Sequence, residues 1–432
     1  MSRNQSHGRR SFGFRTWFEP GMGVKRWLVL LAFGVSLCGL GFGYLLRELY
    51  TSVTFPEPVY YLTLQFIPRV ARGIIFMGLA GGSIALAIWK LNRYLLSVVM
   101  DKNGDDRPLV EMVYNHRNGQ RGPKVVAIGG GTGLSVLLRG MKEYTSNLTA
   151  IVTVADDGGS SGRLRRDLGV LPPGDFRNCI AALADAEPLV TRLMQYRFGE
   201  GGDLEGHSFG NLFIVAMAGV TGNFEEAIRE TSRVLRVRGQ ILPSTLEDVT
   251  LNAELDDARL IRGESLIGVS DHPIGRVYLD PPHPAAYPGA MQAIQEADLI
   301  IMGPGSVFTS VLPNLLVEGI TKSIMKSKAT KVYICNVATQ PGETDGFDAE
   351  NHAEALLRHT NDGLFNYFLV HDSLIRPVPS DGDARPVLST GRSLPGISTI
   401  VRDVVSDETP LRHDPYKLSE ALIDVLNNHR RS

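Results

Sequence analysis

The stretch VTVADDGGSSGRLRRDLG, residues 152–169, sets two adjacent carboxylates, Asp156 and Asp157, against a Gly/Ser turn and three guanidinium groups, Arg163, Arg165 and Arg166. Two chemistries compete for such a pair of acids. One accepts hydrogen bonds from ribose hydroxyls; the other holds Mg²⁺, which takes one or two carboxylates together with phosphate oxygens and water. The arginines beyond could neutralise a diphosphate through bidentate hydrogen bonds. A solvated loop of mixed charge has the same composition, so the neighbouring segments decide.

GGGTGLS, residues 129–135, is the first of them. Gly129, Gly130, Gly131, Thr132 and Gly133 stand where an apolar run gives way to a helical pattern. Glycines there permit positive φ and close approach of a ligand, and the free N–H groups of a helix start attract an anion. The run is neither a dinucleotide fingerprint, since Leu134 occupies the third glycine position, nor a P-loop, since no Gly-Lys-Ser/Thr follows. PPGDFRN adds Asp175 and Arg177 on a rigid turn, and GHSFGNL presents His207, Ser208 and Asn211 before an apolar helix. GPGS, with Gly303, Gly305 and Ser306, forms a second candidate anion nest, and TQPGETDGF contributes Glu343 and Asp345. No nucleophile elbow, HExxH or Cys-His pairing accompanies them, and the residues describe a phosphate- and ribose-friendly cleft without an evident acid/base pair.

The elements that must position these groups alternate. KVVAI, the glycine turn, LSVLLRGMKEY and LTAIVTV read as strand, turn, helix, strand within about 30 residues, the unit of a parallel sheet. ADLIIM, KVYICNV, FNYFLV and STIVRDVV extend the pattern as further strands, and TSVLPNLLVEGITKSIMKS reads as one helical stretch with Pro313 early in it. The charged segment around TLNAELDDARLIRGESLIG reads as an antiparallel insertion. DPYKLSEALIDVLNNH closes the chain as a helix with Asp414 at its N-cap. In an open parallel sheet, ligands bind at the carboxyl ends of the strands, which is where Gly130 and Asp156 fall.

Upstream the texture differs. Residues 27–46 run 20 positions without a charge and residues 73–89 another 17, with Lys and Arg concentrated outside the pair. That predicts a two-helix transmembrane hairpin with both termini in the cytoplasm, at the inner face of the cell membrane. The organisation expected is a basic tail and two-span anchor at 1–100, a polar linker at 101–123, and one large α/β domain at 124–432. A net charge of −2 with 43% hydrophobic residues excludes a disordered chain and any strong global attraction to nucleic acid. Cys38, Cys179 and Cys335 form no CxxC pair, so neither a disulfide framework nor a cysteine zinc site is indicated.

Taken in order, GGGTGLS, TVADDGGSSGRLR, PPGDFRNC, HSFGNL, GPGSVFTSVLPNLLV and ICNVATQPGET resemble the YvcK-type gluconeogenesis-factor family, a relative of the CofD-type 2-phospho-L-lactate transferases. The resemblance covers residue 124 to the C-terminus. It implies a Rossmann-like α/β fold, a mostly parallel sheet with helices on both faces. It also implies binding of UDP-sugars such as UDP-N-acetylglucosamine, and a role linking central carbon metabolism to cell shape and wall synthesis. Carried over by motif, Gly130 to Gly133 would face phosphate, Asp156 and Asp157 would take the metal-associated acidic positions, and Asn211 with the Gly303–Ser306 loop would complete the cleft. The transferases carry Gly-Asp-Asp where this chain has Ala155-Asp156-Asp157, a departure that bears on the transfer reaction rather than on nucleotide binding. Two roles follow: a nucleotide-sugar-binding regulator with envelope-synthesis partners and a homo-oligomeric form, or a Mg²⁺-dependent transferase acting on a nucleotide-diphosphate-linked donor.

Overall fold

The computed structural model describes residues 122–429, except 186–187, 200, 271, 374–377 and 379–383, and upstream of these 33–37, 41–43, 70–84 and isolated positions. The chain divides into two units, Met1–Asn115 and His116–Ser432. In the first, residues 70–84 are helical, with Val70, Ile74, Met77 and Leu79 exposed. Among the described residues no helix is long and apolar enough to cross a membrane. Most of the expected first span, part of the second and nearly all of the expected linker lie outside the described residues.

The second unit begins with the expected alternation. Strand β1 (Val125–Gly129) leads into helix α1 (Gly131–Met141) and then strand β2 (Leu148–Val152). Helices α2 (Gly159–Leu168), α3 (Gly174–Leu183), α4 (Pro188–Gln195), α5 (Phe209–Thr221) and α6 (Phe224–Val234) intervene before β3 (Gln240–Pro243). An insertion follows: β4 (Thr250–Leu255), β5 (Leu260–Arg262), the short helix α7 (Glu264–Ile267) and β6 (Ile274–Asp280). Helix α8 (Pro288–Glu296) returns the chain to β7 (Leu299–Met302). A π-helical turn at Val307–Val311, α9 (Leu312–Leu315) and α10 (Glu318–Lys326) precede β8 (Thr330–Ile334). Then come α11 (Ala349–His359), β9 (Tyr367–His371), β10 (Ser398–Arg402) and α12 (Pro415–His429).

Seven strands form one sheet in the order β10-β9-β8-β7-β1-β2-β3, and every pairing in it is parallel. β1 and β7 are buried along their whole length, as the apolar runs of a doubly covered parallel sheet must be, and β8 is buried too although it opens on Thr330 and Lys331. The chain walks from β1 toward β3, then returns and walks from β7 toward β10. Right-handed crossovers in opposite directions put helices on both faces and leave a crevice where the order reverses, between β1 and β7. This is the Rossmann-like arrangement. The insertion is a separate antiparallel sheet, β5-β4-β6, as its charged, alternating sequence suggested.

One detail departs from the sequence reading. The stretch after GPGS is three pieces rather than one helix. Ser306 caps the π-helical turn, Pro313 stands at the start of α9, and the chain breaks again at Leu316 and Val317 before α10. Asp414 does cap α12, its Oδ1 accepting from the N–H groups of Tyr416 at 2.8 Å and Lys417 at 2.9 Å.

Candidate functional site

The glycine turn closes β1 against the reversal point. Gly130 caps α1 in an extended conformation and brings no side chain of its own to the helix start. Gly131 takes φ +63°, a left-handed conformation that favours glycine, and its N–H donates to the Asp175 carboxylate. Gly133 is required for a different reason: a Cβ there would sit 2.5 Å from the carbonyl oxygen of Pro304. A Cβ on Gly130 would run into the Asp175 carboxylate. The β1 and β7 turns are therefore pressed together, with the α1 N-terminus between them.

A pocket of about 350 Å³ opens at this junction, lined among others by Thr132, Gly133, Gly305, Asn336, Gln340 and Arg412. The GPGS turn is held from below. Gly305 N–H donates to Asn336 Oδ1 at 3.1 Å, and Ser306 Oγ donates to Glu343 while accepting from Thr309 N–H at 3.0 Å. Glu343 also accepts from Thr309 Oγ1 at 3.2 Å, and burial lifts its carboxyl above the usual range. Asp345 instead holds its own turn, accepting from Gly342 N–H. A larger groove, about 820 Å³, borders Val125, Leu148, Thr149 and Gln240 and includes none of the candidate residues.

On the other side of the glycine turn, carboxylates gather. Asp156 Oδ1 accepts from Gly158 N–H at 2.9 Å. Burial raises its pKa against the help of Gly158 and the Ser161 hydroxyl, and the Asp157 charge raises it further. Asp157 does not reach into open space: its Oδ1 accepts from Ser265 N–H at 2.9 Å, at the start of α7 in the insertion. Asp175, half-buried in the first turn of α3, is pushed up to about 7 by burial and by the Asp156 charge, with Gly131 N–H and Arg177 acting the other way. Glu264 is pushed up to about 8 by burial and by Asp156, Asp157, Glu343 and Asp175. Sequence reading did not single out Glu264, because only the fold-back of the insertion brings it here. Among the described residues no three His, Cys, Asp or Glu side chains are grouped to hold a metal ion. The acids thus fit Mg²⁺ only in its usual shared mode, one or two carboxylates with ligand oxygens and water, and not an all-protein cage.

The arginines of the opening motif are tied to backbone. Arg163 donates to the Glu205 carbonyl at 2.7 Å, Arg166 to the Asp157 carbonyl at 3.5 Å, and Arg165 to the Val249 carbonyl at 2.6 Å while pairing with Asp248. They brace α2 against the segments around it rather than converging on the pocket. Deeper, Ser160 Oγ lies 3.0 Å from His207 Nδ1 and accepts from Asn211 Nδ2 at 3.1 Å. Ser208 caps α5 through Asn211 N–H and accepts from Arg177 Nη1 at 2.6 Å. Arg177 Nε and Asn211 Oδ1 are buried without a hydrogen-bond partner, an arrangement that ordinarily costs free energy unless something completes it.

Residues 125–385 match the family model described as 2-phospho-L-lactate transferase CofD. A gluconeogenesis factor of Bacillus subtilis is 48% identical over 312 residues, which cover 70% of this chain and 98% of that protein. A relative in Nostoc sp. is 44% identical over 438 residues, covering 97% of this chain and 94% of its own. The crystal structure of a UPF0052-family protein from Bacillus halodurans, 46% identical, superposes with a TM-score of 0.66 over 71% of this chain and 100% of that one.

Proposed function

This chain belongs to the CofD family, alongside its gluconeogenesis factors, and from that premise we propose that it is a regulator that binds a UDP-sugar of the UDP-N-acetylglucosamine kind. In this reading it sits on the cytoplasmic face of the inner membrane and links central carbon metabolism to cell shape and wall synthesis. The observation that carries the reading is the junction of the β1 and β7 turns. It combines a helix N-terminus whose cap residue, Gly130, has no side chain, a pocket of about 350 Å³ and Arg412 on its wall, a combination suited to a nucleotide diphosphate. The unpartnered Arg177 Nε and Asn211 Oδ1 support it, because a ligand can complete buried polar groups. A Mg²⁺ bound with the diphosphate would rest on Asp156, its neighbour Asp157 being held by Ser265 N–H, and would offset the charge gathered there. Membrane attachment rests on the two uncharged stretches at 27–46 and 73–89 and the basic residues outside them.

Calorimetric titration with UDP-N-acetylglucosamine, with and without Mg²⁺, tests the proposal. Saturable one-site binding and an intact ligand after incubation are expected. No heat and no thermal shift with any UDP-sugar would overturn it.

A second reading, a Mg²⁺-dependent transferase, is favoured by one specific observation. Asp175 near 7 and Glu264 near 8 titrate in the range where a carboxyl can exchange protons at working pH. Release of UMP or UDP during incubation, abolished by Asp175→Asn with binding retained, decides for that reading.

A further inference from the structure

A lysine at the start of a helix runs against the helix dipole, which favours anions there and cations at the far end. Helix α12 nevertheless carries Lys417 in its first turn, two residues after Pro415. Its Nζ donates to three oxygens: Asp403 Oδ2 at 3.0 Å, the Val405 carbonyl at 3.0 Å and Asp407 Oδ1 at 3.3 Å. An ammonium group has three donors, so one short stretch of chain takes them all. The Lys417 side chain is 28% exposed and that of Asp403 24%, so water screens their contact less than it screens a fully exposed pair.

That stretch is the outgoing limb of the loop between β10 and α12. The returning limb brings Leu411, Arg412 and His413 to the wall of the pocket at the β1–β7 junction. Backbone ties the two limbs together. Ser406 N–H donates to the Arg412 carbonyl at 2.9 Å, Asp414 N–H donates to the Val404 carbonyl at 2.8 Å, and Val405 and His413 form an antiparallel bridge. His413 Nε2 also lies 3.1 Å from the Cys335 carbonyl, just past the end of β8. Arg412 therefore stands between a contact to the main sheet and a limb that Lys417 fastens to α12. The Arg412 side chain is exposed, and among the described residues no carboxylate is paired with it. Such a guanidinium binds an anion best when its backbone is already held, because ordering a loop on binding costs free energy.

We propose that Lys417 is a positioning residue for the bound nucleotide: it fixes the loop that presents Arg412 to the diphosphate. The inference rests on the nucleotide-diphosphate reading of the pocket. Lys417 does not line that pocket, so its effect on binding runs through the loop. Without the ammonium, Asp403 and Asp407 lose their common cation, and a shift of their limb carries the Ser406–Arg412 hydrogen bond with it.

A double-mutant cycle on the full-length chain tests this, read by calorimetric titration with UDP-N-acetylglucosamine. Lys417→Met keeps the aliphatic stem and removes the charge. It should weaken binding about tenfold, the scale of coupling between residues of one network. Arg412→Ala should weaken binding at least as much, and the double variant no further than Arg412→Ala alone. Lys417→Arg, which keeps a cation, should stay nearer to wild type than Lys417→Met. Lys417→Gln, which keeps a donor, replaces Lys417→Met if the latter does not fold. Wild-type affinity in Lys417→Met, or losses that multiply in the double variant, overturns the proposal. If the wild type binds no UDP-sugar, the nucleotide reading fails, and hydrogen exchange still decides the role of Lys417. Lys417→Met should then speed exchange across residues 405–413 about tenfold while the last turns of α12 keep their protection. No change across 405–413, or equal acceleration through Leu426, shows that the lysine does not position the loop.

Discussion

At the scale of single residues, Asp175 is the group whose protonation the fold controls most directly. Its carboxyl titrates near 7 in the folded protein against 3.8 in an unfolded chain, mainly because burial penalises the charge. Between about pH 4 and 7 the folded state holds the extra proton, so this residue makes the protein less stable as pH rises through that window. The cost above pH 7 is on the order of a few kcal/mol. His413, pushed down to about 4 by burial, acts with the opposite sign between pH 4 and 6.5. The difference between wild type and variant therefore removes the His413 contribution and reads Asp175 together with the carboxyls coupled to it, Asp156 and Glu264. Asp175→Asn keeps an acceptor for Gly131 N–H and removes the charge, so it should raise the melting temperature at pH 8 and leave it nearly unchanged at pH 4. Equal melting temperatures at both pH values would show that the carboxyl does not titrate in this range. Gly133 offers a steric counterpart. Gly133→Ala sets a methyl 2.5 Å from the Pro304 carbonyl, and overpacking against backbone costs about 1–3 kcal/mol. A lower melting temperature together with weaker UDP-sugar binding is expected, since the same displacement widens the β1–β7 junction.

At the scale of elements, the insertion is held over the acid cluster by a small number of polar ties. Asp157 accepts from Ser265 N–H at the start of α7. Arg165 reaches Val249 just before β4. His359 Nε2 accepts from Val277 N–H in β6 at 3.0 Å, while its Nδ1 lies 2.7 Å from the Ala355 carbonyl in α11. That pair of contacts requires the neutral ring with its proton on Nδ1. Asp157 is thus a hinge pin between the main sheet and the insertion. Losing a hydrogen bond to a charged acceptor costs about 1.5–3 kcal/mol, or ten- to a hundredfold in an equilibrium. Asp157→Ala should speed hydrogen exchange across Glu264–Ile267 by that factor, and weaken UDP-sugar binding equally with and without Mg²⁺. Asp157→Asn, which retains an acceptor, should do less of both. If the loss of binding appears only in Mg²⁺, Asp157 acts through the metal and not through α7.

At the scale of the molecule, the downstream unit corresponds to whole proteins elsewhere. The Bacillus subtilis relative is matched over 98% of its length by 70% of this chain, and the Bacillus halodurans protein over 100% of its length. Deleting residues 1–100 should therefore leave a folded unit in the soluble fraction with unchanged affinity for UDP-N-acetylglucosamine. Recovery of that truncation in the membrane pellet would mean that attachment is not carried by residues 1–100. The proposed anchor and the proposed cleft are separable in this view, because the glycine turns, the acids and the pocket all lie downstream of residue 124.

The strands and glycine turns of the main sheet were legible in the residues themselves. Fully buried parallel strands must be unbroken apolar runs, as in VVAIG and LIIM, and the turns after them must avoid side chains, as Gly131 and Gly133 show. The places of Asp156 and Asn211 follow from the same local pattern, one in the turn after a strand and the other in the first turn of a helix. β3 was not, since a four-residue edge strand carries too little pattern to separate it from loop. Nor did the sequence reveal that Arg163, Arg165 and Arg166 brace backbone, because a guanidinium beside acids reads the same whether it serves a ligand or a carbonyl. Glu264 is the clearest case. It lies about a hundred residues from Asp156 and Asp157, in a stretch whose charges suggested solvent, and its carboxyl is pushed up to about 8 because the antiparallel insertion folds it onto the other acids. Local pattern determines strands, turns and caps, since those depend on neighbours in the chain. Which charges share a low-dielectric space depends on contacts between distant segments, and only the tertiary structure decides it.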